Sequence, residues 1–254
     1  MALESYIRNK KEDLELLIMT HIVIGYPSLE KSFKIVESMV DAGVDLIELQ
    51  VPFSEPMADG PVILHANEAA LDGGITVEKC LDFSRVVAHT FDIPFLIMSY
   101  YNIPFRYGLR RFVGEMANRG LKGAIIPDLP PEEGEEYLDA MKESGIDPVL
   151  IFSPNTTDER MSYIASLGRG FIYCVARRGV TGATTDFSGD MDKYLERCRK
   201  ASRLPLAVGF GVKEKADIDF LKGKADIAVI GSQVIRVIRD EGTNSVGPFL
   251  GSLL

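Results

Sequence analysis

The fold is decided by the stretch that runs from residue 17 to residue 51, LIMTHIVIGYPSLEKSFKIVESMVDAGVDLIELQV. Its two ends, 17–25 and 44–51, are short and almost continuously apolar, as strands that are buried on both faces must be. The segment between them, 28–43, has helical spacing and charge, and it ends in a glycine, which favours a helix stop. The stretch therefore predicts a strand, a helix and a second strand.

The same alternation recurs along the rest of the chain. Further helical patterns cover 108–120, 131–145 and 157–168. Further short apolar runs predict strands at 94–100, 123–127, 148–152, 170–176, 204–210 and 225–231. Eight strand–helix units in 254 residues predict an α/β fold, a (β/α)8 TIM barrel, with a doubly wound open sheet as the alternative. Because no composition shift or linker divides the chain, we expect a single TIM-barrel domain over residues 1–254.

Two connections are too long for one helix of ordinary length. They are 52–93, after the second strand, and 177–203, after the sixth. We expect long loops there, on the C-terminal face of the barrel, which carries the chemistry in this fold. Residues 1–14 predict an extra amphipathic helix that closes the opposite end.

Composition and charge exclude several classes of protein. Hydrophobic residues make up 46% of the chain and charged residues 26%, which excludes a disordered chain. The net charge of −9 argues against a nucleic-acid binder. The three cysteines argue against a disulfide scaffold or a zinc site, and the three histidines form no metal signature. The sequence contains neither a membrane span nor a signal peptide, so a cytoplasmic protein is expected.

The segment IELQVPFSEPMADGP, residues 47–61, brings two carboxylates toward the predicted barrel mouth. Glu48 lies between apolar neighbours on the second strand and therefore points into the barrel. A buried carboxylate requires partners or a proton, which suits a general acid or base, although a structural acid is an equally good interpretation. Asp59 could face Glu48 and split the acid and base roles with it, or it could be a turn residue in Asp-Gly-Pro. Glu55 is expected to be solvated.

Late glycines predict a phosphate site. Gly209-Phe210-Gly211 follows the seventh strand, and Gly231-Ser232 follows the eighth and opens a helix. Loops after these two strands, with a helix N-terminus, often bind phosphate in TIM barrels, although such glycines also make simple turns. The segment RRGVTGATTDFSG, residues 177–189, is either a mobile lid with Thr181 and Gly182 near its hinge or a surface loop without a role.

Other side chains on the strands leave alternatives open. Tyr173 could bring a hydroxyl into the barrel mouth or pack in the core, and Met98 and Tyr100 are pocket wall or core. His21 and Cys174 are expected to be packed residues rather than a nucleophile pair. These patterns together predict a phosphate-binding barrel with an acid–base pair and a lid. Such a site suits isomerisation, epimerisation or carbon–carbon cleavage of a sugar-phosphate-like compound.

Five stretches resemble one family over nearly the whole chain. They are IELQVPFSEPMADGP, MSYYNIPFRYGL, ARRGVTGA, VGFGV and VIGSQVI. In sequence and in order they resemble the α subunits of tryptophan synthase. The resemblance implies a carbon–carbon lyase that cleaves indole-3-glycerol phosphate to indole and glyceraldehyde 3-phosphate by a retro-aldol reaction.

The resemblance also implies roles for individual residues. Glu48 would be the general acid/base and Asp59 its partner at the indole nitrogen. Tyr173 matches an active-site tyrosine, Phe210 a pocket wall and Thr181 a lid threonine. The residues that match the phosphate grip are Gly182, Gly211, Gly231 and Ser232. No metal or organic cofactor is implied for this subunit.

The family's partner is a β subunit that carries pyridoxal phosphate and receives indole through a tunnel in an α2β2 heterotetramer. The loop from Pro52 to Asp59 and the segment Asp128-Leu129-Pro130 resemble the family's contact region. An α chain of this family usually works poorly alone, because docking of the partner orders the long loops.

Four positions depart from the family's pattern. Gln50 stands where glycine is usual, Glu55 where aspartate is usual, Leu64 where glutamine is usual, and His21 where an aromatic residue is common. Gln50 and His21 could reshape the indole pocket. Two alternatives to an active α subunit therefore remain. One is a weakened subunit that mainly activates the β chain, and the other is a related barrel enzyme that acts on another sugar phosphate.

Overall fold

The protein is a closed barrel of eight parallel strands, in which each strand pairs with its neighbours in chain order and β8 returns to β1. The computed structural model describes residues 2–175, 189–209 and 211–253. The strands are β1 (Leu17–Val23), β2 (Leu46–Gln50), β3 (Phe95–Met98), β4 (Gly123–Ile125), β5 (Asp147–Phe152), β6 (Ile172–Val175), β7 (Leu206–Gly209) and β8 (Ile227–Ile230). The closed order confirms the predicted TIM barrel and excludes the open sheet.

One helix precedes the first strand, and the other helices follow the strands and cover the outside of the barrel. They are α1 (Leu3–Asp13), α2 (Leu29–Asp41), α3 (Pro61–Asp72), α4 (Val77–Thr90), α5 (Asn102–Tyr107), α6 (Leu109–Asn118), α7 (Glu135–Ser144), α8 (Asp158–Leu167), α9 (Gly189–Ala201), α10 (Lys215–Leu221), α11 (Ser232–Glu241) and α12 (Val246–Leu253). Helix α2 is typical, since the Ser28 side chain caps its start by accepting a hydrogen bond from the Lys31 backbone N–H. Its inner face buries Ile35, Val36 and Met39.

Two predicted regions, one helical pattern and one long connection, differ in detail from the structure. The region 131–145 begins as a short 3-10 helix, Pro131–Glu133, and α7 begins only at Glu135, after Gly134. The long connection after β2 contains a loop, residues 51–60, and then two helices, α3 and α4. The surplus length is therefore shared between a loop and an additional helix. After β6, residues 176–188 lie outside the described residues.

Helix α1 closes the N-terminal end of the barrel, as predicted. Its residues Leu3 and Ile7 are buried and join the interior cluster that contains Met19 and Phe171. The backbone N–H of Leu3 donates a hydrogen bond to Asp147 Oδ2 at the start of β5 (3.1 Å). The interior of the barrel is therefore packed at this end. The opposite end, where the strands finish, is left for chemistry.

Candidate active site

Glu48 lies inside the barrel because of its position on β2. Ile47 and Leu49 belong to the layer between the strands and the helices, whereas Leu46 belongs to the interior cluster. Side chains alternate along a strand, so Glu48 and Gln50 share the interior face with Leu46. Glu48 is only 4% exposed. The sequence-based placement of this carboxylate inside the barrel is thus confirmed.

The partner of Glu48 is His21. The register of β1 and β2 sets the two residues side by side, and His21 Nδ1 lies 3.4 Å from Glu48 Oε1. Burial lowers the pKa of His21, but the charge of Glu48, its hydrogen bond and the charge of Asp59 outweigh burial, so that the pKa is raised. The sequence predicts a packed histidine that could shape the pocket, and it does not predict this pairing. The structure instead pairs His21 with the carboxylate.

Asp59 approaches the same region from the loop after β2. Its Oδ2 accepts a hydrogen bond of 2.7 Å from Gln50 Nε2. Burial raises the pKa of the Asp59 carboxyl, and the charge of Glu48 adds to this, while His21, Gln50 and Tyr100 oppose it. Asp59 and Glu48 are therefore close enough to influence each other and lie in different environments. This is the arrangement that splits a carboxylate pair into separate roles.

A buried amide, Asn67, holds this loop in place. Asn67 lies on α3, and its Oδ1 accepts from the Phe53 backbone N–H (2.9 Å) while its Nδ2 donates to the Ile63 carbonyl (2.8 Å). Gln50 Nε2 also reaches Asn67 Oδ1, at 3.5 Å. Sequence reasoning missed Asn67. The available signal was a polar residue on the apolar face of a helix, where a buried amide must be hydrogen-bonded.

Aromatic and sulfur-containing side chains line the region. Phe53 stacks on Tyr100 at a centroid distance of 5.2 Å, and the Tyr100 hydroxyl accepts from the Ala58 backbone N–H (3.1 Å). Met98 is buried in the same interior cluster, and Tyr173 packs against it. Burial raises the pKa of the Tyr173 phenol, and the charges of Glu48 and Asp59 raise it further.

Tyr173 also depends on a glycine of the neighbouring strand, β7. A Cβ placed on Gly209, the last residue of β7, would lie 2.8 Å from the Tyr173 hydroxyl oxygen. No side chain fits there unless the phenol moves. The position of the Tyr173 hydroxyl at the barrel mouth is thus tied to the glycine that ends β7.

Three of the four residues predicted to bind phosphate, Gly211, Gly231 and Ser232, lie within the described part of the chain. Gly231 is the N-cap of α11 and Ser232 is its first residue, so the unpaired amides of a helix N-terminus lie at the end of β8. Gly211 has φ +92°, a conformation that favours glycine, and a Cβ there would meet nothing within 4 Å. Thr181, Gly182 and Phe210 lie outside the described residues. Among the described residues, no cluster of His, Cys, Asp or Glu could hold a metal ion.

Comparison with known proteins identifies the family. The family model described as tryptophan synthase alpha chain matches residues 7–247. The chain belongs to the tryptophan synthase alpha chain family. It is 62% identical to the tryptophan synthase alpha chain of Desulforapulum autotrophicum and 60% identical to that of Syntrophotalea carbinolica, with 99% of both chains covered in each case.

Solved structures of tryptophan synthase share this fold. A structure of Mycobacterium tuberculosis tryptophan synthase matches with a TM-score of 0.93 and 30% identity over 100% of this chain and 97% of that chain. A chain of the Pyrococcus furiosus tryptophan synthase complex matches with a TM-score of 0.86 and 26% identity over 93% and 97%. The likeness therefore extends over nearly the whole barrel.

His21 and Gln50 are the residues that contact Glu48 and Asp59. From the sequence we expect both positions to depart from the family's usual residues, an aromatic residue at position 21 and glycine at position 50. If they do, the departures would act directly on the two carboxylates, in addition to any effect on the shape of the pocket.

Proposed function

We propose that the chain cleaves indole-3-glycerol phosphate to indole and glyceraldehyde 3-phosphate, as a carbon–carbon lyase. The observation that carries this proposal is the pair of carboxylates at the barrel mouth. Glu48 projects from a strand and Asp59 from a loop, and they have separate partners, His21 and Gln50. The family to which the chain belongs supports the same reaction.

The chemistry requires both carboxylates. Indole C3 must gain a proton, which converts the ring to an indolenine and places positive charge at the ring nitrogen. Asp59 beside the ring N–H would stabilise that charge. A base then removes the proton of the side-chain hydroxyl, the carbon–carbon bond breaks, and its electron pair returns to the ring. Glu48 would exchange these protons as general acid and base.

The phosphate of the substrate would bind at the start of α11. Gly211, Gly231 and Ser232 would supply backbone amides and a hydroxyl, and the helix N-terminus would favour the negative charge. Gly182 would complete the grip and Thr181 would close the lid. Tyr173, Phe210, Met98 and Tyr100 would line the pocket around the ring. No metal or organic cofactor is needed for this half-reaction.

The partner would be a β subunit that carries pyridoxal phosphate and joins indole to serine. The contact surface would combine the loop from Pro52 to Asp59, where Met57 is 74% exposed, with the segment Asp128-Leu129-Pro130. Asp128 braces that segment, since its carboxylate accepts from the Tyr101 backbone N–H (2.8 Å). We place the complex, an α2β2 heterotetramer, in the cytoplasm. No helix within the described ranges could cross a membrane.

The test is release of glyceraldehyde 3-phosphate from indole-3-glycerol phosphate, measured with and without the β subunit. Release that rises on addition of the β subunit is expected. If the chain stimulates the β reaction but releases nothing itself, it is an activator that has lost the cleavage. If it neither cleaves this substrate nor affects the β subunit, it is a barrel enzyme of another specificity.

A further inference from the structure

The two oxygens of the Glu48 carboxylate have different surroundings. Oε1 lies 3.4 Å from His21 Nδ1. Oε2 is buried and has no hydrogen-bond partner among the residues that the structure describes. A buried carboxylate oxygen without a partner is costly, so such a group is usually reserved for a ligand or a proton. One oxygen is therefore held by the protein, and the other remains available.

His21 occupies the strand between the carboxylate and the phosphate end of the site. It lies on β1, which pairs with β2 on one side and with β8 on the other. A Cβ on Gly231, just after β8, would lie 3.7 Å from the His21 Cβ. His21 thus has the Glu48 carboxylate on one side and the glycine that caps α11 on the other.

The charged groups that influence His21 are both acids. Glu48 acts from β2 and Asp59 from the loop after it, while the neutral Gln50 also acts from β2. Tyr173 faces the same two carboxylates from β6. On the side of β8, Gly231 and Ser232 bring no charge. This distribution favours the imidazolium form, whose Nδ1–H faces Oε1 as an ion pair at 3.4 Å and needs only a small approach to become a charge-assisted hydrogen bond.

A histidine that only packs in the core does not fit these observations. His21 is 5% exposed, yet its Nε2 has no hydrogen-bond partner in the described part of the chain. An apolar side chain of similar size would fill the space without leaving a buried nitrogen unpaired. The presence of an imidazole at this position is explained if its other nitrogen, Nδ1, has a functional contact, and that contact is the one with Glu48 Oε1.

We propose that His21 is a positioning residue for the cleavage reaction: its Nδ1–H holds Oε1 of Glu48, so that Oε2 is aimed at the substrate and exchanges the proton. This inference rests on the proposed function. His21 acts through Glu48, and no bond to His21 is made or broken. The geometry also predicts which nitrogen matters, because Nδ1 makes the contact and Nε2 does not.

Two substitutions separate the nitrogens. His21→Asn places an amide near the position of Nδ1, whereas His21→Gln places one near the position of Nε2. His21→Phe removes both and keeps the bulk. Loss of a hydrogen bond to a charged group is expected to lower kcat about 10- to 100-fold, with little change in KM, in His21→Phe and His21→Gln. His21→Asn should retain kcat to within about threefold of the unsubstituted protein.

The pH profile gives a readout that packing alone would not move. Since the acids beside it raise the pKa of His21, kcat of the unsubstituted protein should fall on the alkaline side, above the usual value of about 6.5. That limb should be absent in His21→Asn, whose amide does not titrate. His89→Asn is the matched control, because His89 is exposed on α4 and should leave the profile unchanged.

A measurement on the intact protein does not depend on how the His21 variants fold. The pKa of the His21 imidazole, followed by NMR, should fall in Glu48→Gln, while the ring chemical shifts of the exposed His89 at a fixed pH should be unaffected. The inference is overturned if the His21 pKa does not change, if His21→Phe cleaves as fast as the unsubstituted protein, or if His21→Gln rather than His21→Asn restores kcat.

The cleavage rates of Glu48→Gln and His21→Phe distinguish a wrong role for His21 from a wrong proposed function. If Glu48→Gln abolishes cleavage while His21→Phe does not, Glu48 keeps its role and His21 loses the one assigned here. If Glu48→Gln cleaves normally, the proposed role of Glu48 is wrong, and the inference falls with it.

Discussion

The two ends of the barrel are built from the same strands but differ in what they bury. At the N-terminal end, Leu3, Ile7 and Met19 fill the interior and are at most 1% exposed. At the C-terminal end, His21, Glu48 and Gln50 are nearly as buried, yet each carries a polar atom without a partner among the described residues. The interior changes from apolar to polar over two residues of each strand, because Met19 pairs with Leu46 and the next inward-facing pair is His21 with Glu48.

This difference shows where the molecule is stabilised and where it is prepared for a ligand. An unpaired buried polar group costs about 1–3 kcal/mol of stability, so the three residues with such atoms at the mouth destabilise the folded protein appreciably. The packed end offsets it, since full burial of one large aliphatic side chain contributes about 1.5–3 kcal/mol. Substitutions at the mouth should therefore change activity more than stability, and substitutions at the packed end should do the reverse.

The largest expected effect is at the mouth. Glu48→Gln keeps the shape of the side chain but removes the proton transfer, so cleavage should fall about 10²- to 10⁴-fold. The midpoint of thermal unfolding should not fall, because no packing is lost and a buried carboxylate is removed. Release of glyceraldehyde 3-phosphate and a melting curve measure the two properties. A variant that keeps more than about a tenth of the activity would contradict this role for Glu48.

The reverse pattern is expected at the packed end. Ile7→Ala deletes buried methyl and methylene groups from α1, which should lower the free energy of unfolding by about 2–5 kcal/mol. The cleavage rate at a temperature where the variant is folded should be unchanged, because Ile7 packs at the N-terminal end of the barrel, opposite the mouth that holds Glu48. Ser5→Ala, at an exposed position of the same helix, is the control and should change neither property. A loss of rate in folded Ile7→Ala would show that the two ends are coupled.

The same small change, glycine to alanine, should have different consequences at the two ends. A Cβ on Gly123 would lie 2.8 Å from Leu3 Cδ1 and 3.0 Å from the Asp147 carbonyl oxygen, so Gly123→Ala should cost about 1–3 kcal/mol of stability. A Cβ on Gly209 meets only side-chain atoms, the hydroxyl and ring of Tyr173, so Gly209→Ala should shift the phenol and raise KM with a smaller loss of stability. Melting curves and substrate titrations of both variants check this. Equal losses of stability would remove the distinction.

How much of this could be predicted from the sequence also differs between the ends. The barrel and its strand order follow from the short apolar runs, because strands buried on both faces leave a strong local signal. The closing helix α1 follows from the amphipathic pattern of residues 1–14. Glu48 follows from alternation on β2. The additional helix α3 was missed, because the length after β2 was assigned to a loop. Pro61 after Gly60, followed by apolar residues at helical spacing, was the available signal.

The hydrogen-bonded partners at the mouth could not be predicted. The pairing of His21 with Glu48 depends on the register of β1 against β2, which no local pattern supplies. The contact of Gln50 with Asp59 depends on the path of residues 51–60, which is fixed by the hydrogen bonds of Asn67. Both are long-range properties of the folded chain. A resemblance to a family does not supply them either, because it leads us to expect other residues at positions 21 and 50.

The smallest effect concerns the stability cost of the mouth itself. Because burial raises the pKa of the Asp59 carboxyl, the folded protein binds the proton of Asp59 more tightly than the unfolded chain does. The contribution of Asp59 to stability is therefore complete below the unfolded pKa of about 3.9 and is lost as the pH rises through the folded value.

Asp59→Asn removes this loss and can still accept the hydrogen bond from Gln50. We expect a gain of up to about 1 kcal/mol in the free energy of unfolding at pH 7, and a smaller gain as the pH approaches 4. Denaturant titrations at the two pH values measure it, and Asp72→Asn, on α3 away from the strand ends, is the control. A gain of the same size at both pH values would come from something other than the ionisation of Asp59, and the mouth would then carry less electrostatic strain than its buried acids indicate.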